Sequence, residues 1–222
     1  MTKLLTTSAK IDKSLTDEWN SAVMYLDPNY NKDVCKGASK GCKASCLIYS
    51  GRMTMPTAVK ARQKRTALYF EKPELFMMQL KGELYTLLAQ SMAEGKQLAI
   101  RLNGTSDLDF ADVYKAFPMI QFYEYTKRVD LIKKNADIAN VHYTFSKHEN
   151  HSTKQLKTVL DKGINVTVVY NGLVPKQWQG LDVIDGDKHD RRFEDKAGKI
   201  VGLKLKGTKQ AKQAAIKSGF AV

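Results

Sequence analysis

From Gln97 to Lys217 the chain alternates short apolar runs with helix-patterned stretches, and this alternation restricts the fold more than any other feature of its 222 residues. Strands joined through helices run parallel, because a parallel crossover needs about a dozen residues or more. The runs are Gln97–Leu102, Met119–Glu124, Asn140–Phe145, Asn165–Tyr170, Leu181–Ile184 and Lys199–Leu205. Between or after them Leu108–Phe117, Arg128–Asn135, Ser152–Asp161 and Thr208–Lys217 read as helices. Upstream, Ser21–Leu26 reads as a strand stopped by Asp27-Pro28-Asn29. Thr57–Phe70 reads as a helix with Pro56 in its first turn, and Pro73–Ala93 as a second helix with a wide apolar face. The pattern predicts an α/β fold: a single-domain parallel βα-repeat sheet, a partial (β/α) barrel, over residues 21–222, preceded by an N-terminal arm over 1–20.

In such architectures the functional loops lie at the carboxyl ends of the strands. Here those positions are rich in small polar groups: Asn103-Gly104-Thr105-Ser106-Asp107, Tyr125-Thr126-Lys127, Ser146-Lys147, Asn171-Gly172 and Asp185-Gly186-Asp187. Taken singly, each set suits a turn or a helix cap. Together they predict one mouth at which Asn103, Thr105, Ser106, Asp107, Tyr125, Lys127, Ser146, Asn171 and Asp185 hold a cofactor or substrate.

The loop after the first strand carries the whole cysteine content, Cys35, Cys42 and Cys46, spaced Cys-x6-Cys-x3-Cys. Three thiols in one short loop make a poor disulfide framework, because any pairing leaves one free. They can hold three irons of a [4Fe–4S] cluster and leave the fourth open, or a zinc ion with a fourth ligand from elsewhere, or stay reduced and unligated. The ligand count favours the cluster, since structural zinc sites are closed by four protein ligands. Lys36, Lys40 and Lys43 are expected to offset thiolate charge and lower the thiol pKa. The spacing of His142, His148 and His151 does not imply a shared face for a second metal, and His189 sits in a segment that reads as a solvated charged loop.

Lys and Arg outnumber Asp and Glu by 36 to 23, a net charge of +13 that attracts polyanions such as nucleic acid. Lys60, Arg62, Lys64 and Arg65 on one helix, with Lys204, Lys206, Lys209 and Lys212 near the end of the chain, are the candidate phosphate contacts. No run of eighteen apolar residues occurs and the first ten residues lack a signal-peptide core, so the expectation is an intracellular protein without a membrane partner.

Several stretches carry a family resemblance: Cys35 through Tyr49-Ser50-Gly51-Arg52, Arg101–Asp107, Phe122–Lys127, Tyr143–Ser146, Asp185–Asp190 and Gly202–Gly207. In that order they resemble the phage gene-product-88-like family, over most of the chain beyond residue 20. The resemblance implies a phage or mobile-element protein acting in the cytoplasm of a bacterial host. The layout also looks like a radical S-adenosylmethionine enzyme, in which three cysteines hold a [4Fe–4S] cluster whose open iron binds the amino and carboxylate groups of S-adenosylmethionine. The usual spacing there is Cys-x3-Cys-x2-Cys, from which this loop departs. By that likeness Asn103–Asp107 takes the place of a Gly-Gly-Glu set, with Ser106 and Asp107 on the methionine ammonium. Given the net charge, the expected substrate is a nucleotide or nucleic acid. A non-enzymatic, basic nucleic-acid-binding protein with a structural metal or none is the alternative.

Overall fold

The computed structural model describes residues 2–6 and 18–222. Its strands are β1 (Leu5–Thr6), β2 (Trp19–Met24), β3 (Gln97–Arg101), β4 (Gln121–Thr126), β5 (Val141–Ser146), β6 (Val166–Tyr170), β7 (Gln177–Trp178), β8 (Leu181–Asp185) and β9 (Ile200–Lys204). They form one sheet in the order β1-β2-β3-β4-β5-β6-β9-β8-β7. All neighbours are parallel except β1 against β2 and β7 against β8. The order ends on two edge strands, so among the described residues the sheet is open. The fold is therefore α/β with a nine-stranded, mostly parallel sheet.

The helices are α1 (Lys40–Ala44), α2 (Pro56–Glu71), α3 (Pro73–Ala93), α4 (Ala111–Ala116), α5 (Val129–Lys134), α6 (Thr153–Leu160) and α7 (Lys209–Ser218). Strands β2 to β6 lie side by side in chain order, so every crossover between them steps the same way. Right-handed crossovers that all step one way place their helices on one face of the sheet. The core follows this rule: Ala22, Met24, Leu98, Ile100, Phe122, Tyr143, Phe145, Val166 and Val168 join Phe76, Leu80 and Leu84 of α3 and Leu131 of α5 in one buried cluster. These are alternate residues of each strand. The residues between them, Ser21, Val23, Arg101, Tyr123, Tyr125, His142 and Thr144, face the other way.

Most predicted elements appear within one or two residues of their expected bounds. The short helix expected at Leu108–Phe117 begins only at Ala111, because the Asn103 side chain accepts from Leu108 N and donates to Leu108 O, which keeps 103–108 in a loop. The sequence reading missed α1, β1 and the two-residue β7. That last strand turns into β8 through Gln179 (φ 50°) and Gly180 (φ 76°), a left-handed pair suited to a tight hairpin.

Within the stretch read as an arm, Leu4 and Leu5 are fully buried. The Glu83 carboxylate accepts from Leu4 N at 2.8 Å and from Leu5 N at 2.8 Å, and Arg65 Nε donates to Lys3 O at 2.7 Å. Glu83→Ala leaves those amides without their partner, at a cost of about 1–3 kcal/mol. The expected result is faster amide hydrogen exchange at Leu4 and Leu5 with the β3–β6 amides unchanged; equal protection in wild type and variant would disprove the anchor.

Candidate functional site

The cysteine loop lies across the carboxyl ends of the central strands, held there by contacts to several of the polar loops. Ser39 caps α1, its hydroxyl accepting from Cys42 N at 3.1 Å and donating to Glu149 at 2.7 Å. The other Glu149 oxygen accepts from Gly41 N at 2.8 Å. A Cβ at Gly41 would sit 2.8 Å from those carboxylate oxygens and 2.5 Å from Ser218 Oγ, so glycine is needed for this approach. On the β3 side, Asp107 N donates to Val34 O at 2.7 Å and the Cys35 thiol donates to Thr105 O at 3.4 Å. On the β4 side, Gly37 packs so closely on Asp107, Lys127 and Arg128 that a Cβ would lie 3.0 Å from each. Beyond Cys46, Tyr49 O accepts from Thr208 N at the start of α7.

The three thiols are near enough to influence one another's ionisation. Burial pushes the Cys35 thiol up to about 12, with Cys46 and Cys42 raising it further and Lys127 pulling it back. Burial also raises Cys46, again opposed in part by Lys127. Lys43 pairs with Asp33 at 3.7 Å on the surface, and the cations that act on the buried sulfurs are Lys127 from the end of β4, on Cys35 and Cys46, and Arg62, on Cys46. Lys127 Nζ donates to Ser146 Oγ at 2.9 Å, so two of the predicted site residues do meet under the loop. Cys42 leans the other way, onto Ala215, Phe220 and Ala221 at the end of the chain. Among the described residues no group of three or more His, Cys, Asp and Glu side chains is drawn together as a metal shell.

The Asn103–Asp107 loop is brought to the site, but its side chains shape the loop itself. Asn103 Oδ1 accepts from Ser106 Oγ at 2.8 Å, and Thr105 Oγ1 donates to Leu26 O at 2.5 Å. Asp107 accepts from Thr126 Oγ1 at 2.7 Å and from Lys127 N at 3.1 Å. Underneath, the buried Glu124 carboxylate accepts from Leu102 N, Asn103 N and the Tyr114 hydroxyl at 2.8, 2.9 and 3.1 Å. Asn171 and Asp185 are exposed, at the ends of strands away from the cysteines, and Tyr125 turns to the helix-free face, where the Arg101 guanidinium lies 4.4 Å from its ring centre.

Half of the expected phosphate-binding helix points inward. Arg62 and Arg65 are buried, donating to Met53 O and Lys3 O, because α2 needs that face to pack against the first strand and the amino-terminal segment. Lys60 and Lys64 stay exposed, as do Lys204, Lys209 and Lys212, whereas Lys206 is tied to Asp187 at 2.6 Å. The His148 and His151 rings stack at 3.6 Å beside the loop, and burial depresses His151 to about 4 with further help from His148. His142 lies on the other sheet face, apart from them. The segment around His189 is not a solvated loop: Asp190, Arg191 and Arg192 are buried against that face.

Glu149, which clamps the loop, and the Arg101–Asp190 pair were not found from the sequence. Nothing marks a lone glutamate in a loop, and period-two alternation places Arg101 on a face that a sheet covered on both sides fills with apolar residues.

The parts define a class: an open-sheet α/β protein with a three-cysteine loop seated on the carboxyl ends of its parallel strands. The chain matches the model of the Gene product 88 family over residues 2–222, and it belongs to that phage gene-product family. No curated protein and no solved structure matches it. No helix among the described residues is long and apolar enough to cross a membrane.

Two outcomes follow. Glu149→Ala should loosen the α1 turn, so alkylation of Cys46 by iodoacetamide should accelerate about tenfold, the equivalent of about 1.4 kcal/mol of easier opening; an unchanged rate would exclude the clamp. Burial holds Glu124 up at about 7, against 4.5 when unfolded. The folded state therefore keeps a proton that the unfolded state releases, so this group's contribution is complete below pH 4.5 and is lost as pH rises through 7, at about 1.4 kcal/mol per pH unit. Denaturant midpoints measured at pH 5 and pH 7.5 should show that slope in wild type minus Glu124→Gln; parallel curves would refute it.

Proposed function

We propose that this protein is an iron–sulfur protein of the bacterial host cytoplasm, a radical S-adenosylmethionine-like enzyme that acts on a nucleotide or nucleic acid. Cys35, Cys42 and Cys46 would hold a [4Fe–4S] cluster. The observation that carries the reading is the seat of the loop: three half-buried cysteines stand over the carboxyl ends of parallel strands arranged in chain order, beside Lys127. The donor count is that of such a cluster, since three thiols without a fourth protein ligand leave one iron open, and binding would have to draw Cys42 toward Cys35 and Cys46. Bound there, the cluster supplies one-electron chemistry that no side chain provides. The chain-order run of parallel strands β2–β6 supports a reading of the sheet as a partial (β/α) barrel.

The chain's own contribution is placement. Glu149 holds the α1 turn, the Asp107 amide holds Val34 next to Cys35, Lys127 offers the cation that balances thiolate charge, and Ser146 orients Lys127. The inward turn of Arg62 and Arg65 weakens the alternative of a simple basic binding protein, which would rest on exposed lysines such as Lys60 and Lys64.

Iron, sulfide and zinc analysis of protein isolated without oxygen tests this directly. About four irons and four sulfides per chain are expected, lost in the Cys35, Cys42, Cys46 to Ala variant. Zinc or no metal after anaerobic reconstitution would overturn the proposal and leave salt-dependent polyanion binding as the function to measure.

A further inference from the structure

The sheet face without helices carries polar side chains that its own cover does not satisfy. Register pairs Val23 with Arg101, Tyr123 with His142, and Tyr125 with Thr144 across it. Ser21 is 5% exposed and Thr144 0%, yet neither hydroxyl has a hydrogen-bond partner, and the same holds for Tyr125 OH, His142 Nε2 and Arg101 Nε. Buried polar groups in a folded chain are normally paired, and leaving one unpaired costs stability. On the other side of the sheet Glu124 has three donors and Asp107 two, and the Tyr170 hydroxyl lacks a partner. On the helix-free face several such groups lie side by side, where one ligand could meet more than one of them.

The cover is the segment 189–195. Phe193 rests against Trp19 and Tyr123, with ring centres 4.9 and 5.7 Å apart, and Arg192 pairs with Asp195 at 2.9 Å. Asp190 reaches Arg101 and the Tyr123 hydroxyl at 3.4 Å each, longer than the usual 2.7–2.9 Å of a charge-assisted bond. The segment thus lays a carboxylate on the buried guanidinium of this face. Strands β2 to β5 at about 4.8 Å spacing make the face about 14 Å wide, the length of a mononucleotide. With the cysteine loop above and the segment across it, the face is too enclosed for a strand of nucleic acid, and a small molecule would take the place of part of the segment.

We propose that this face binds a small organic anion of nucleoside-monophosphate size, with its anionic group on Arg101 in the position of the Asp190 carboxylate and its neutral polar edge on Tyr125, Thr144 and His142. This names a substrate class for the function proposed above and rests on that reading for its purpose, but binding itself asks nothing of the cysteines.

The test is calorimetric titration of the full chain, and separately of the Cys35, Cys42, Cys46 to Ala variant, with the four ribonucleoside 5′-monophosphates and with inorganic phosphate. At least one nucleotide should bind both proteins, so a positive result stands whatever the metal analysis gives. Tyr125→Phe and Thr144→Val should each weaken binding tenfold or more while leaving the melting temperature of the free protein unchanged or higher, because each removes a hydroxyl without a partner. Asp190→Asn should tighten binding by releasing Arg101. The proposal is overturned if no nucleotide binds wild type or Asp190→Asn, if phosphate alone binds as tightly as the nucleotide, or if the Tyr125 and Thr144 variants melt lower, since the hydroxyls would then be structural.

Discussion

Five parallel strands laid side by side in chain order commit the whole molecule to an asymmetric sheet. Each right-handed crossover deposits its helix on the same face, so one face of β2–β6 is covered by α3 to α6 and the other receives no crossover helix. That second face must be covered by something else, because a parallel sheet is stable only when both faces are shielded from water. The later part of the chain does this. After β6 the order breaks, β9 inserts beside β6, β8 lies outside it, and the connection between them carries Asp190–Asp195 back across the helix-free face. The cysteine loop and α7 then close the carboxyl ends.

This origin explains why the two faces have different chemistry. The helix-covered face is packed with Leu, Ile, Val and Phe, and its few polar groups shape one loop: Glu124 gathers the amides that open the Asn103 turn, and Asn103 fixes its far end at Leu108. The other face is covered by an irregular segment rather than by a helix with an apolar stripe. Charged and aromatic side chains are tolerated there, stabilised by Arg101 over Tyr125 and by the Arg192–Asp195 pair.

The strand and helix order was legible because apolar periodicity is local, and Ser152, Gly163 and Thr208 mark helix ends by their own backbone chemistry. The meeting of Lys127 with Ser146 could be anticipated from strand-end position alone. What stayed hidden depended on contacts between segments distant in the chain. Arg62 and Arg65 look like surface charges until the amino-terminal segment, with Leu4 and Leu5, is laid against α2 and α3. Asp190 to Arg192 look like a solvated loop until the uncovered sheet face is recognised as needing a lining. Asn103, Ser106 and Asp107 look like ligands for a cofactor, but a loop without regular hydrogen bonding uses those same groups to satisfy its backbone.

The burial of several cations alters what the net charge of +13 can do. Arg101 and Arg192 face carboxylates from the 189–195 segment, and Arg62 and Arg65 spend their donors on backbone carbonyls, so none of them adds a free surface contact. The surplus that solvent feels comes mainly from exposed lysines scattered over the helices. Scattered lysines give a field that falls off within about 10 Å at moderate salt and fix no register along a polymer. Such a field raises the local concentration of small anions near the molecule, whereas recognition needs an oriented guanidinium and directional hydroxyls. Among the described residues the helix-free face combines these, so the binding proposed for it would assign capture to the surface charge and selection to the sheet.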